Sequence, residues 1–205
     1  SRYRNLETQA NVVSRLRRSN AEALEREMLR ELNDLAFANS DFRIEITRLD
    51  EITELGYDGV EFLISTNPGD PLRPMSKIAS GGEISRIMLA FKHIIGSNDS
   101  VETMIFDEID TGISGKTALV VGHKLSEIAK HRQICCITHL PQIAASGDDN
   151  FSIDKKISDG KSHTVIEHLN DNGKLEMLAR LISGAPDSSN AIEAARELIA
   201  AVKTE

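Results

Sequence analysis

A chain of 205 residues with 40% apolar and 4% aromatic content can bury the core of one or two domains and is too apolar to be disordered. Its formal net charge of -8 excludes a generally basic nucleic-acid coat, though not a local basic strip. There is no apolar stretch of membrane-spanning length and no secretory signal, so nothing points to a membrane partner.

The chain opens mid-helix, with SRYRNLETQANVV and no starting Met, and reads as a piece of something longer. Residues 5–35 hold neither Pro nor Gly and place Leu6, Val13, Leu16, Leu24, Met28, Leu32 and Leu35 on a narrow helical stripe. Such a stripe in a charged helix predicts a coiled-coil stem or a long surface helix. Seven arginines (2, 4, 15, 17, 18, 26, 30) against four glutamates in residues 1–30 form either a solvated face or a DNA contact. FRIEITRL (42–49) and DGVEFLIST (58–66) alternate as strands do, and NPGDPLRP (67–74) reads as a loop. From Gly82 to Ile95 an amphipathic helix is predicted, with Ile84, Ile87, Met88, Phe91, Ile94 and Ile95 on its apolar face.

VETMIF (101–106) and QICCIT (133–138) are short apolar strands separated by a predicted helix over 116–131. A βαβ unit makes its two strands parallel and buried. Cys135 and Cys136 are the only cysteines. Strand neighbours face opposite ways, so a disulfide between them would be strained, and a reducing cytoplasmic compartment is the simplest expectation. FSIDKKI (151–157), the turn SDGK and SHTVIEHL (162–169) predict a hairpin. Helices over 173–183 and 189–203 follow, divided by SGAPDSS, with Leu175, Leu178 and Ile182 as core positions.

DTGISGKT (110–117) has the strand–loop–helix layout and the Gly-Lys-Thr ending of a phosphate-binding loop, but Asp110 stands at the first glycine position. Asp107, Glu108 and Asp110 would crowd three carboxylates at an anion cradle and repel a triphosphate. The same acids suit a Walker-B-like strand end, where an Asp holds Mg²⁺ and a Glu orients or deprotonates a water. The plain alternative is a solvated strand end. His139 follows the second strand, so a parallel sheet brings it to the same edge, either as a structural histidine or as a γ-phosphate sensor. In ASGGEISRIMLAFK (79–92), Ser80, Gly81 and Gly82 precede the predicted helix. Ser80 can cap that helix, and the glycine pair also permits a phosphate to approach free backbone N–H groups.

In order, SGGE, MIFDEID, the loop after it and THLPQ resemble the signature motif, Walker B, D-loop and switch histidine of the C-terminal half of an ABC-type ATPase head. Within that superfamily the chain resembles the RecN family, SMC-like bacterial DNA-repair ATPases. The resemblance is carried by VEFLISTNPGDPLRPMSKIASGGEISRIMLAFK, IFDEIDTGISG and CCITHLPQIAA, then by LARLISG and AIEAARELI. It implies an α/β fold: the C-terminal lobe of an ABC/SMC-type ATPase head, a largely parallel sheet flanked by helices, with a β-hairpin and an N-terminal coiled-coil stub. Residues 1–38 would end a coiled-coil arm and residues 39–205 would form the lobe.

The resemblance further implies that Ser80, Gly81, Gly82 and Glu83 contact the γ-phosphate of ATP on an opposing head. It makes Asp107 the Mg²⁺ support, Glu108 the group that polarises the hydrolytic water, and His139 a γ-phosphate contact. Thr111, Gly112, Ile113 and Ser114 would be the D-loop, with Ser114 where many ABC proteins carry Asp. Implied partners are the N-terminal lobe of the same head, a second head in an ATP-dependent homodimer, and DNA for the whole protein. The implied location is the bacterial cytoplasm, on the nucleoid after DNA damage. With no credible P-loop or Q-loop segment, one lobe alone is expected to turn over no ATP. Two other readings stay open: a metal-dependent phosphoesterase using Asp107, Glu108, Asp110 and His139, and a non-catalytic dimerisation or DNA-clamping module.

Overall fold

The computed structural model describes residues 2–96, 100–158, 161–184 and 188–204. It divides into two compact units, Ser1–Ile95 and Gly96–Glu205.

In the first unit, helix α1 (Arg2–Asp34) packs against strands β1 (Asp41–Thr53) and β2 (Gly56–Ser65) and helix α2 (Gly81–Ile95). The apolar stripe of α1 divides along its length. Met28, Leu32 and the following Leu35 are fully buried, whereas Leu6, Val13 and Leu16 are exposed. Polar side chains fix the helix on the hairpin. Ser14 Oγ donates to Asp58 Oδ1 at 2.6 Å and Arg17 to Asp58 Oδ2 at 3.0 Å, while Glu25 Oε1 accepts the Ile44 N–H at 2.7 Å.

The hairpin is antiparallel, with Phe42 opposite Ile64 and Ile44 opposite Phe62. Phe91 of α2 meets Phe42 and Phe62 edge-on, with ring centroids 5.8 and 5.4 Å away. Part of the expected loop 67–74 is ordered: Arg73–Pro74 (β3) pairs with β2, and a 3₁₀ turn, Met75–Lys77, follows. Helix α2 buries Ile87 and Phe91 as expected, but Leu89, Ala90 and Arg86 are buried too, while Met88 and Ile95 are exposed. Its apolar surface extends around most of the helix, so packing selected a face turned toward Leu89 and Ala90.

In the second unit, β4 (Thr103–Phe106) and β5 (Gln133–Cys136) run parallel, with Thr103 opposite Gln133 and Phe106 opposite Cys136. Helix α3 (Gly115–Ala129) makes the crossover. The α/β class stands, but "largely parallel" does not describe the sheets. The only βαβ crossover among the described residues yields a two-stranded parallel ladder. The other strand pairs are antiparallel, because short connections reverse the chain.

A short helix, α4 (Pro141–Ser146), lies between β5 and the hairpin of β6 (Asn150–Ser158) and β7 (Lys161–Leu169). Asp159 and Gly160 of the expected SDGK turn, and residues 185–187 of the SGAPDSS breaker, lie outside the described residues. Helix α5 (Asp171–Ser183) starts at Asn170, whose side chain accepts the Gly173 N–H, and stops at Gly184, where φ is 73°. Helices α4, α5 and α6 (Ser189–Thr204) enclose a core of Ala144, Ala145, Leu178, Ala179, Ala191 and Ala195. Leu175 packs at its edge, while Ile182, expected inside, is 40% exposed.

Candidate functional site

Ser80 caps α2: its Oγ accepts the Glu83 N–H at 3.3 Å and its carbonyl the Ile84 N–H at 3.0 Å. Ser80, Gly81 and Glu83 are half-buried and Gly82 is buried. The capping reading of Ser80 is therefore realised. Gly81 opens the helix, where intrahelical acceptors are lacking and the dipole favours an anion.

The second group of candidates leaves the edge of the parallel ladder. Beyond β4, Asp107 and Glu108 are exposed, whereas Ile109 and Asp110 are buried. Asp107 Oδ1 accepts the Glu108 N–H at 2.8 Å. Glu108 itself has φ of 55°, the left-handed region that a side-chain-bearing residue seldom adopts. This turn directs two carboxylates to solvent and the next two residues inward.

On the neighbouring strand the Ile137 N–H donates to the Phe106 carbonyl at 2.9 Å, so the pairing runs one residue past β5. Thr138 and His139 thereby reach the edge where Asp107 and Glu108 stand. Asp110 ties the two segments together. Its Oδ2 accepts from Thr138 Oγ1 at 2.6 Å and from the His139 backbone N–H at 2.8 Å, and lies 2.9 Å from His139 Nδ1. The Thr138 hydroxyl oxygen in turn accepts the Leu140 N–H at 3.0 Å. The His139 side chain is 72% exposed and that of Asp110 4%, so the ring is anchored at Nδ1 and open elsewhere. The contacts of Asp110 escaped the sequence reading, because an inward and an outward carboxylate look alike in DEID.

Within DTGISGKT the chain makes a tight turn over 109–112 before α3 starts at Gly115. The Thr111 and Ile113 N–H groups donate to the Glu108 and Asp110 carbonyls, and Gly112 has φ of 76°. Those two donors are spent inside the loop instead of being presented to a phosphate, which argues against a cradle. Ser114 occupies the N-cap position of α3 without a side-chain capping bond, and Gly115 begins the helix.

No three His, Cys, Asp or Glu side chains among the described residues gather as a metal-holding group. The two-metal phosphoesterase reading thus loses its geometry: Asp110 is buried and bonded to Thr138 and His139, whereas Asp107 and Glu108 are exposed. Cys135 is exposed and Cys136 half-buried, both as free thiols. Burial, and then the nearby Asp110 and Asp107 charges, push the Cys136 thiol up to about 12. A thiol so held is no nucleophile at neutral pH.

Among the described residues no helix is long and apolar enough to cross a membrane. No family model matches the chain. Curated relatives do. "DNA repair protein RecN" of Halalkalibacterium halodurans is 39% identical over 198 residues, 95% of this chain and 35% of the relative. The proteins of the same name from Bacillus subtilis and Treponema pallidum are both 40% identical, over 91% and 92% of this chain and 35% and 34% of theirs. The chain therefore spans about a third of the length of these relatives.

Among solved structures, the Smc head domain with a coiled coil and joint from Pyrococcus yayanosii superposes with a TM-score of 0.53 at 22% identity. That match covers 79% of this chain and 29% of the other. The Smc head domain with an extended coiled coil from Pyrococcus furiosus gives 0.50 at 23% identity, over 72% of this chain and 35% of that one. At such identities the likeness is one of fold: an SMC-type head lobe.

Proposed function

This chain belongs to the RecN family, spanning about a third of the length of its curated members, and from that premise we propose that it supplies the C-terminal half of an ATPase head acting in DNA double-strand-break repair and recombination. The observation that carries the reading is the shared edge of the parallel ladder, where Asp107, Glu108 and His139 emerge together and Asp110 bonds to His139. In α/β sheets that edge is where ligands bind.

The residues fit a magnesium nucleotide. Asp107 is a single exposed carboxylate, suited to a Mg²⁺ ion that keeps several waters and takes its other oxygens from phosphate. The bound ion would neutralise phosphate charge. Glu108, exposed beside it, orients and polarises the attacking water, and His139 contacts the γ-phosphate through its open side. Ser80, Gly81, Gly82 and Glu83 present the start of α2 to ATP on an opposing head, and Thr111–Ser114 form the loop at the dimer interface. No phosphate cradle lies among the described residues, and the reading assigns it to the N-terminal lobe of the head.

Exposed Leu6, Val13 and Leu16, spaced by seven and three residues, suit an arm helix with one seam left for a coiled-coil partner. Residues 1–38 are accordingly the end of that arm and residues 39–205 the lobe. DNA is the partner of the whole protein, acting in the bacterial cytoplasm on the nucleoid.

The test is ATP turnover by this chain with and without the lobe that carries the phosphate-binding loop. We expect turnover only in the complete head, and its loss on Glu108→Gln with nucleotide binding retained. Hydrolysis at a normal rate by the 205-residue chain alone would refute the scheme.

A further inference from the structure

We propose that Asp110 is a positioning residue that fixes the His139 ring, committing Nδ1 to the protein and leaving Nε2 as the working atom. The inference rests on the ATPase reading above and goes beyond it in assigning the ring nitrogen with which His139 meets phosphate. A carboxylate only accepts hydrogen bonds. At 2.9 Å from Asp110 Oδ2, Nδ1 must carry a proton for the contact to be favourable. The same oxygen takes the Thr138 hydroxyl and the His139 N–H, so the backbone and the ring are set by one buried group. The Thr138–Leu140 bond then fixes where the strand end turns into α4.

A ring held this way has two states. Neutral, its Nε2 is a bare lone pair facing solvent. Doubly protonated, Nε2 donates outward while the Asp110 carboxylate balances the charge. A phosphate oxygen is an acceptor, so His139 can donate to it only as the cation. Asp110 thereby decides which ring nitrogen, Nε2, His139 turns toward the γ-phosphate.

Two measurements test this. In the 205-residue chain labelled with ¹⁵N-histidine, with His139 assigned from a His139→Ala spectrum, Nδ1 is expected to carry a proton in both the neutral and the charged ring. A neutral ring protonated at Nε2 would overturn the proposal, without recourse to any Asp110 variant. In the complete head, Asp110→Asn is expected to lower kcat on the order of 10–100-fold, the scale of losing a group that orients an active imidazole, with KM little changed. In the His139→Ala background the same substitution should cost less than about 3-fold, because the two residues act as one unit. Equal losses in both backgrounds would make Asp110 a fold or metal residue and sink the proposal. If Glu108→Gln or His139→Ala leaves turnover intact, the ATPase reading falls instead, and the Nδ1 measurement still decides the contact.

Discussion

Glu108 combines an exposed carboxylate with a left-handed backbone, φ 55°. For a residue with a Cβ that conformation costs on the order of 1–2 kcal/mol, and such strain gathers at functional sites. Glycine adopts it freely but loses more entropy on folding. Glu108→Gly should therefore leave unfolding free energy unchanged or raise it by up to about 1 kcal/mol, while removing ATP turnover from the complete head. Urea unfolding of the variant measures this; destabilisation beyond about 1 kcal/mol would show that the side chain matters to the fold. Much at this scale was legible. Asp107, Glu108 and His139 could be placed on one edge because two apolar runs flanking a helix dictate a parallel pair. The direction of Asp110 was not legible, since its partners Thr138 and His139 lie 28 and 29 residues away and only the folded ladder brings them near.

Two contacts between elements carry consequences of their own. Asp58 on β2 is nearly sealed off, its side chain 1% exposed, and it holds Ser14 and Arg17 of α1. The Ser14 hydroxyl, then Arg17 and Arg18, hold its carboxyl below the usual range against the opposing effect of burial. A folded-state pKa below the unfolded value, about 3.9 for Asp, contributes stability that is present above that value. It is lost as pH falls through the folded one. Unfolding free energy should drop as pH is lowered past about 4, and Asp58→Asn should flatten that limb in urea melts recorded between neutral pH and pH 3. An unchanged acid limb would remove Asp58 from the account.

The second contact joins α3 to α4. A Cβ on Gly122 would collide with Ser146 Oγ and stand 3.2 Å from the Ser146 Cβ and 3.4 Å from the Gln142 carbonyl. Overpacking of this kind costs about 1–3 kcal/mol. Gly122→Ala should lose that much in urea unfolding, and Ser146→Gly in the same chain should recover part of it. A neutral Gly122→Ala would mean that α4 shifts freely. The long helices, the strands of the first hairpin and the second hairpin as a whole could be expected from periodicity. α4 could not: six residues are too few to show a period, and Pro141 at its first turn was its one local signal. The buried face of α2 also required packing, because Leu89 and Ala90 are as apolar as the positions expected inside.

For the molecule as a whole, the fold class could be anticipated and the extent of parallel pairing could not, because ladder direction follows connection length. The two units, Ser1–Ile95 and Gly96–Glu205, divide the proposed chemistry: Ser80–Glu83 belong to the first and Asp107, Glu108 and His139 to the second. If the signature serves ATP on an opposing head, defects in the two groups complement each other. A head with Ser80→Arg keeps its own acid, and a head with Glu108→Gln keeps its signature. In a mixed two-fold dimer, one site joins the intact acid to the intact signature, while the other carries both lesions. Random pairing makes about half the dimers mixed, each with one working site of two, so turnover should recover to about a quarter of the unsubstituted level. Each variant alone should be inactive. Ser80 also caps α2, and losing that cap costs about 1 kcal/mol, so thermal melts must first show the Ser80→Arg head folded. Absence of recovery at every mixing ratio, with both variants folded, would rule out independent sites completed in trans.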